Sequence, residues 1–382
     1  MNPVVNLTEG RVRREGVPGR PSAVSLFSGA GGMDVGFRQA GFDILWANDV
    51  DKVAVETYRR NLGDHVVWGD IEDHLSSLSR FAGADCLFGG PPCQGFSVAG
   101  KMAADDPRSQ LVRTFMRAVE IVRPRAFVME NVKALGALAK FKPVRDALRE
   151  SADRLGYRTE LHILNAKDFG VPQARERVFF VGFLYAEAVQ FEERIRKHRR
   201  APITTLQALL KTGPQGAAAN PKTCNAVITI AARPVLRRSP YAGMMFNGLG
   251  RPLNPHAPCA TLPASMGGNK TPIIDERQFF GDGASWIETY HAHLMAGGEP
   301  YAMPEAPAHI RRLTLEEARI LHTFPEGYDF AGGRSATYRQ IGNAVPCELA
   351  RAVAQTMIDV LEDGAIDDEG DHAPTLRFAF GS

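Results

Sequence analysis

The chain has 382 residues, of which 44% are hydrophobic, and this is enough to bury a core in one large domain plus a smaller one. Its 45 basic and 43 acidic side chains leave a formal net charge of +2, which excludes an overall positive field as the means of attracting a nucleic acid. The five cysteines include no CxxC pair and no cysteine–histidine cluster at zinc spacing, which argues against a disulfide scaffold and a structural metal.

Residues 1–20 are polar and aperiodic, and we expect them to form an N-terminal extension outside the fold. No segment has the pattern of a signal peptide or of a membrane span of about 20 apolar residues, which predicts a soluble, cytoplasmic protein without a membrane partner. The acidic stretch 363–382 is predicted to be a C-terminal tail. Between these ends, we predict a first domain from 21–184 and 306–362, and a second domain from 185–305.

Short apolar runs alternate with helical patterns in the first half of the chain. The predicted strands are 23–27, 43–49, 85–90, 126–132, 159–166 and 177–183. A helix over 111–122 ends before Pro124, and further helices are predicted at 313–324, where Thr314 and Glu317 have the spacing of a capping box, and at 347–362. This alternation predicts an α/β fold with a Rossmann-like, mostly parallel sheet, and its loss between 185 and 305 predicts a smaller, loop-rich domain.

The segment VSLFSGAGG places glycines between a strand and a helix, where the backbone can approach a ligand closely. Asp49 follows Gly29 by 20 positions at the end of the next strand, where an acid commonly takes ribose hydroxyls. The pattern indicates a nucleoside cofactor, although such a turn alone serves tight packing equally often. Asp34 stands where the dinucleotide fingerprint has its third glycine, which disfavours NAD. Asp70, in WGDI, either meets an adenine amino group or starts a helix.

Cys93 follows two prolines beyond a predicted buried strand, and this position favours an exposed thiol over a structural one. A cysteine nucleophile must be ionised, and Arg175 and Arg177 are candidates for the positive charge that this requires. Glu130 ends an otherwise apolar strand, so its carboxylate needs a partner. It either caps a helix, pairs with a cation such as Lys133, or holds and protonates the ring nitrogen of a bound base.

Taken together and in order, these motifs resemble the DNA (cytosine-5)-methyltransferase family of bacterial type. The matching motifs are FSGAGG, Asp49, GDI, GGPPCQGFS, ENV, QARER, RRLTLEEARILHTFP and IGNAVP. The resemblance covers residues 24–183 and about 311–360. It implies an S-adenosylmethionine-dependent methyltransferase domain and a target-recognition domain. It also implies transfer of a methyl group from S-adenosylmethionine to C5 of a cytosine that is flipped out of duplex DNA and bound covalently to Cys93.

The resemblance also implies residue roles. Cys93 matches the nucleophile, Glu130 the acid of ENV, and Arg175 and Arg177 the arginines that position the base and the glutamate. The matching cofactor-pocket positions are Phe27, Ser28, Gly29, Gly31, Gly32, Asp49, Val50, Asp70, Ile71, Pro91, Leu111, Asn343 and Ala344. Val50 departs from the family because a tryptophan often covers the adenine there, so a weaker stacking surface is expected.

Residues 97–110 look like a mobile loop that closes over the flipped base. The expected DNA contacts are Gln94, Ser97, Arg108, Arg237, Arg238, Arg251 and Thr261. Arg108 is equally well explained as a solvated loop charge. The arginines near Tyr241 and Phe246 either suit phosphate and base-edge contacts or form a solvated basic face. The whole stretch is similar to target domains of enzymes that read sites with a CCGG core.

Three other protein classes compete with this interpretation. An RNA cytosine-5 methyltransferase of the same fold is the nearest alternative, but that branch typically carries Cys-Phe-Thr where this chain has Cys93, Gln94 and Gly95. A nicotinamide oxidoreductase would not need the PCQ, ENV and QxRxR motifs, and a non-enzymatic DNA-binding relative should lose the cysteine or the glutamate. We expect a bacterial enzyme, nucleoid-associated through double-stranded DNA, that acts as a monomer. It serves either beside a cognate restriction endonuclease or as an orphan methylase.

Overall fold

The computed structural model describes residues 19–92, 107–184, 190–224, 226–281 and 283–366. Its strands are β1 (Ser22–Leu26), β2 (Asp43–Asp49), β3 (Val66–Trp68), β4 (Cys86–Gly89), β5 (Ala126–Val132), β6 (Tyr157–Asn165), β7 (Gln173–Ala174), β8 (Glu176–Leu184), β9 (Ile230–Val235), β10 (Met244–Phe246), β11 (Cys259–Ala260), β12 (Ile273–Asp275) and β13 (Ile310–Arg312). Its α-helices are α1 (Gly32–Ala40), α2 (Lys52–Leu62), α3 (Pro107–Val122), α4 (Lys133–Ala137), α5 (Lys142–Arg154), α6 (Phe191–Ile195), α7 (Thr205–Leu209), α8 (Glu276–Phe280), α9 (Trp286–Met295), α10 (Leu315–Leu321), α11 (Arg334–Asn343) and α12 (Cys347–Ile366).

A seven-stranded sheet with the order β3-β2-β1-β4-β5-β8-β6 forms the centre of the described structure. Strands β3, β2, β1, β4 and β5 lie side by side in this order and are parallel to one another. Strand β8 is antiparallel to both β5 and β6. The predicted α/β class with a mostly parallel sheet is therefore confirmed. The carboxyl ends of β1, β2, β3, β4 and β5 lie along one edge, which is where open sheets of this kind bind ligands.

Alternate residues of the central strands enter two different hydrophobic clusters, one on each face of the sheet. Helices α1 and α12 cover one face, where Phe37 and Leu349 are buried. Helix α3 covers the other face with Phe115 and Val119. Helix α3 begins at Pro107, so residues 107–110 form its first turn and do not belong to a loop as the sequence suggested. Proline is favoured there because the first helical residue needs no N–H donor.

Local sequence signals explain where several helices start. Asp51 accepts hydrogen bonds from the backbone N–H groups of Val53 and Ala54 at the start of α2. Thr314 and Glu317 form the predicted capping box at the start of α10. Among the described helices, none combines the length and apolar character needed to cross a bilayer.

The region from residue 190 to 305 is built from short elements. Strands β9 and β10 pair antiparallel above a small cluster that includes Ile230, Phe246 and Tyr290. Strand β12 pairs with β13 across the predicted boundary at residue 305, and β11 pairs with β7. Helix α6 buries Phe191 and Ile195 in the same cluster as the large sheet, although it lies inside the predicted second domain. The domain boundaries therefore remain predictions.

Candidate active site

The turn between β1 and α1 has a left-handed backbone at Phe27 (φ 55°), Gly29 (φ 54°) and Gly31 (φ 82°). Phe27 lacks the conformational freedom of glycine, and a strained residue of this kind is frequent at ligand sites. A Cβ at Gly29 would meet nothing within 4 Å, whereas a Cβ at Gly31 would collide with Leu62 and one at Gly32 would lie 2.7 Å from the Val345 carbonyl oxygen. Gly29 thus leaves open space, while the other two glycines allow close packing.

Asp49 is bound to this turn. One carboxylate oxygen accepts a hydrogen bond from the Gly29 N–H at 2.7 Å, and the other accepts one from the Asp51 N–H at 2.8 Å. Burial raises the pKa of the Asp49 carboxyl, and the backbone donors at Asp51 and Gly29 oppose that rise. Each oxygen keeps a second lone pair, so the group can still accept hydroxyl donors from a ligand above Gly29.

The next strand ends add an apolar surface and a second acid. Val50 is 67% exposed, and Trp68 is 52% exposed. Asp70 is also exposed, and its carboxylate accepts a hydrogen bond from the Glu72 N–H at 3.0 Å, which starts the 3-10 helix Ile71–Phe81. Asp70 therefore has the helix-starting role that the sequence left open, and Ile71 is buried beneath it.

Four of the remaining predicted cofactor positions lie on other elements, and Ser28 lies in the turn between β1 and α1. Asn343 ends α11 with an exposed side chain, and Ala344 contacts the backbone at Gly32. The carbonyl of buried Pro91, beyond β4, accepts a hydrogen bond from the Asn131 side chain at 3.1 Å, and Leu111 is half-buried on α3. Ser28 is buried, and its backbone N–H donates to the Asn48 carbonyl at 2.9 Å.

Glu130 forms an ion pair with Arg177. The Arg177 Nε lies 2.9 Å from Glu130 Oε1, and the two side chains are 15% and 13% exposed. The pairing of β5 with β8 causes this contact, because Glu130 lies opposite Phe179 and Val132 lies opposite Arg177. Lys133, the partner suggested by its proximity in sequence, pairs with Glu176 at 2.9 Å instead.

Burial raises the pKa of the Glu130 carboxyl, and the nearby charges of Arg177 and Arg175 lower it. The rise prevails, so this carboxyl is better able to hold a proton than an ordinary glutamate. A raised pKa favours the use of this carboxyl as a general acid.

Cys93, Gln94 and Ser97 lie outside the described residues, and so does most of the predicted loop 97–110. Arg108 belongs to α3, but its side chain is not described. Strands β4 and β5 pair in parallel, with Gly89 opposite Met129, and a Cβ at Gly90 would lie 2.9 Å from Glu130 Oε2. The chain that leads to Cys93 therefore leaves the sheet directly beside Glu130.

Arg175 is 1% exposed, and its guanidinium spans three segments of the chain. It donates hydrogen bonds to the carbonyl oxygens of Leu262 at 3.0 Å, Gly342 at 2.9 Å and Ala344 at 3.0 Å. Its predicted role toward the base stays a prediction. Its described hydrogen bonds connect the QARER segment, the segment after β11 and the end of α11.

Sequence reasoning missed two neighbours of Arg175. The Gln173 amide donates to Nδ1 of His322 at 3.1 Å, and Nε2 of His322 donates to the Ala344 carbonyl at 2.8 Å. Burial, together with the charge of Arg175, holds the pKa of His322 well below its ordinary value, so the ring is neutral. The available signal was a histidine that directly follows the apolar pair Ile320 and Leu321 in the predicted helix 313–324.

The predicted DNA contacts that the structure describes all lie at the surface. Arg237, Arg238, Arg251 and Thr261 are exposed. The Thr261 hydroxyl donates to the Ala174 carbonyl at 3.0 Å, and the Leu262 N–H donates to the Gln173 side chain at 3.0 Å. Thr261 is thus held next to the QARER segment.

Comparisons with known proteins agree with this geometry. The family model for C-5 cytosine-specific DNA methylase matches residues 22–359. The chain is 30% identical to the Type II methyltransferase M.NgoFVII of Neisseria gonorrhoeae, over 90% of this chain and 88% of that protein. It is 32% identical to the Type II methyltransferase M1.HphI of Haemophilus parahaemolyticus, over 88% of this chain and 86% of that protein. The solved structure of the S. pombe Dnmt2 methyltransferase superposes with a TM-score of 0.64 at 18% identity, over 91% of this chain and 99% of that one, and this likeness concerns the fold.

Proposed function

Because this chain belongs to the C-5 cytosine-specific DNA methylases, we propose that Cys93 is its nucleophile and that Glu130, held by Arg177, is its acid. The chain is a DNA cytosine-5 methyltransferase that uses S-adenosylmethionine as methyl donor. The observation that carries the residue assignment is the largely buried Glu130–Arg177 pair beside the strand end that leads to Cys93.

The turn at Gly29 fits S-adenosylmethionine. The open space above Gly29, the Asp49 carboxylate beside it and the exposed apolar face at Val50 suit a nucleoside with a ribose and a flat base. We assign the ribose hydroxyls to Asp49 and the methionine end to the neighbourhood of Gly31 and Asn343. When bound, the cofactor supplies a methyl group on a positively charged sulfur.

The protein residues make C5 of cytosine nucleophilic. The Cys93 thiolate adds to C6, the electrons of the conjugated double bonds shift toward N3, and N3 takes a proton from Glu130. The enamine carbon at C5 would then be the nucleophile for the methyl group that a bound cofactor supplies, with the sulfur keeping the electron pair of the broken carbon–sulfur bond. Removal of the C5 proton restores the double bond between C5 and C6 and expels the thiolate, and N3 returns its proton to Glu130. Neither C5 nor C6 of the cytosine is reachable inside a duplex, so the base must leave the helix.

A fluorinated substrate tests this assignment. Bisulfite sequencing of DNA from a host that expresses the enzyme first identifies the methylated site. A duplex with 5-fluorocytosine at that site should then form a denaturant-resistant adduct with the wild-type enzyme in the presence of S-adenosylmethionine, because fluorine cannot leave C5 as a proton does. Cys93→Ala should form no adduct but still bind the cofactor. If the wild type forms no adduct at the correct site, covalent catalysis is wrong.

The biological setting has two candidates, a restriction–modification pair and an orphan methylase. The two curated relatives above are named as Type II methyltransferases, which favours the first. An endonuclease in extracts of the source cells that cuts the unmodified site but not the modified one would identify the partner. Sedimentation of the enzyme on a single-site duplex tests the expected monomer.

A further inference from the structure

Two large apolar side chains are exposed next to each other at the predicted cofactor edge. Val50, just beyond β2, is 67% exposed, and Trp68, the last residue of β3, is 52% exposed. The other two tryptophans differ, because Trp46 is buried and Trp286 packs against Tyr290 with ring centroids 4.9 Å apart. Exposed apolar surface beside a ligand cleft often becomes covered when the ligand binds.

The indole of Trp68 is held in place by named contacts. Its Nε1–H donates to the Val50 carbonyl at 3.0 Å, and the Lys52 ammonium lies 5.3 Å from the ring centroid. In the parallel pairing of β2 with β3, Trp68 lies opposite Asp49, so both side chains leave the sheet on the same side. The indole is therefore held on the side of the sheet to which Asp49, the acid assigned to the ribose, also points.

We propose that Trp68 supplies the aromatic surface against which the adenine of S-adenosylmethionine stacks, with Val50 forming the adjoining apolar wall. This inference rests on the cofactor pocket proposed above. A purine gains stacking energy on any aromatic face, and the indole offers a larger surface than a valine side chain. Trp68 comes from a different strand than Val50, which explains how this chain keeps an aromatic surface without a tryptophan at position 50.

The first test measures binding of S-adenosylhomocysteine by calorimetry, without turnover. Trp68→Ala should weaken binding about tenfold or more, and Trp68→Phe should stay within about threefold of the wild type because it keeps a ring. Trp286→Phe is the matched control and should bind like the wild type. Equal affinity of Trp68→Ala and wild type would overturn the stacking role.

The second test uses tryptophan fluorescence. S-adenosylhomocysteine and adenosine should each quench the wild-type emission and protect it from acrylamide, whereas L-methionine should do neither. The quenching should vanish in Trp68→Phe and persist in Trp286→Phe. Tight binding to the wild type without quenching would reject Trp68 while leaving the pocket intact. If the wild type and Asp49→Ala both fail to bind S-adenosylhomocysteine, the proposed pocket itself is wrong.

Discussion

Asp34 is completely buried in the first turn of α1, directly behind the glycine turn. The Tyr58 hydroxyl donates to its Oδ1 at 3.0 Å and also lies 2.9 Å from Nε2 of His65. A helix N-terminus favours a negative charge by about 0.3–1 kcal/mol, but burial prevails and raises the pKa of Asp34 to about 7. The nearby negative charge of Asp49 acts in the same direction.

This raised pKa predicts a specific pH dependence of stability. The folded state holds the Asp34 proton up to about pH 7, whereas the unfolded state releases it near its ordinary pKa of 3.8. The contribution of this carboxyl to stability is therefore greatest below the unfolded pKa and is lost as the pH rises through about 7. Asp34→Asn, which keeps an oxygen for Tyr58, should remove this loss, by at most about 4 kcal/mol.

Urea unfolding of wild type and Asp34→Asn between pH 4 and 8 measures the effect. The free energy of unfolding of the variant should rise relative to wild type as the pH increases. The control is Asp153→Asn, at an exposed position on α5 away from the Asp34–Tyr58–His65 contacts, whose difference from wild type should vary much less with pH. A constant difference for Asp34→Asn would show that the carboxyl is ionised throughout this range.

Glu130 allows a second prediction at the scale of one residue. Glu130→Gln keeps an oxygen that can accept from Arg177, but it removes the transferable proton. The rate of methyl transfer at saturating DNA and cofactor should fall by about 10²–10⁴-fold, while the affinity for S-adenosylhomocysteine changes little. A rate within tenfold of wild type would mean that N3 takes its proton from elsewhere.

At the scale of elements, the short parallel pair β7 and β11 connects two distant parts of the chain. Arg175 extends this connection through its hydrogen bonds to Leu262, Gly342 and Ala344. A lysine cannot reproduce a planar fork of donors, so Arg175→Lys should leave buried carbonyls without donors and lower the free energy of unfolding by about 2–3 kcal/mol.

Arg145→Lys is the matched control for this prediction. Arg145 also donates to two carbonyls, those of Leu135 and Leu138, but water can replace it because the second contact is exposed. Denaturant unfolding should show a clearly smaller loss for Arg145→Lys. If Arg175→Lys is as stable as wild type but cannot methylate DNA, the arginine acts on the substrate and not as a structural connector.

These elements also show what the sequence could and could not predict. Strands 43–49 and 126–132 match β2 and β5 residue for residue, because each contains four consecutive apolar residues bounded by polar ones, a pattern typical of a buried strand. The antiparallel direction of β8 was not predictable, because side chains alternate between the two faces of a sheet in the same way in parallel and in antiparallel strands. The Arg175 contacts were also invisible, because their partners lie 87 to 169 positions away.

At the scale of the whole molecule, the net charge of +2 leaves DNA binding to a local surface. Exposed arginines occur on the region that follows α7, at Arg237, Arg238 and Arg251. His291 Nε2 donates to the Arg237 carbonyl at 2.8 Å, which fixes that backbone against α9. The N–H groups of Leu249 and Gly250 both donate to the Asn269 carbonyl at 3.0 Å, which holds the loop before Arg251 beside the turn Gly268–Lys270.

The assignment of the motifs to different tasks predicts which part of the chain determines the DNA sequence that is methylated. The motifs of the catalytic domain are assigned to cofactor, cytosine and ring chemistry, so we expect the flanking base pairs to be read by the predicted domain 185–305. An arginine that holds guanine by two hydrogen bonds is worth about 1–3 kcal/mol of discrimination. Replacing such an arginine by alanine should relax selectivity at one base pair, whereas losing a phosphate contact should weaken all sites alike and reduce the salt dependence.

Methylation of a randomised duplex library by Arg237→Ala, Arg238→Ala and Arg251→Ala, at fixed salt, separates the two roles. We expect at least one variant to accept a new base at a single position while its rate on the preferred site falls. Arg149→Ala, at an exposed position on α5, is the control and should keep both preference and rate. The preferred site of the wild type also tests the predicted CCGG core. If all three variants keep the wild-type preference and differ only in overall rate, these arginines bind phosphates, and the bases are read by other side chains of this region.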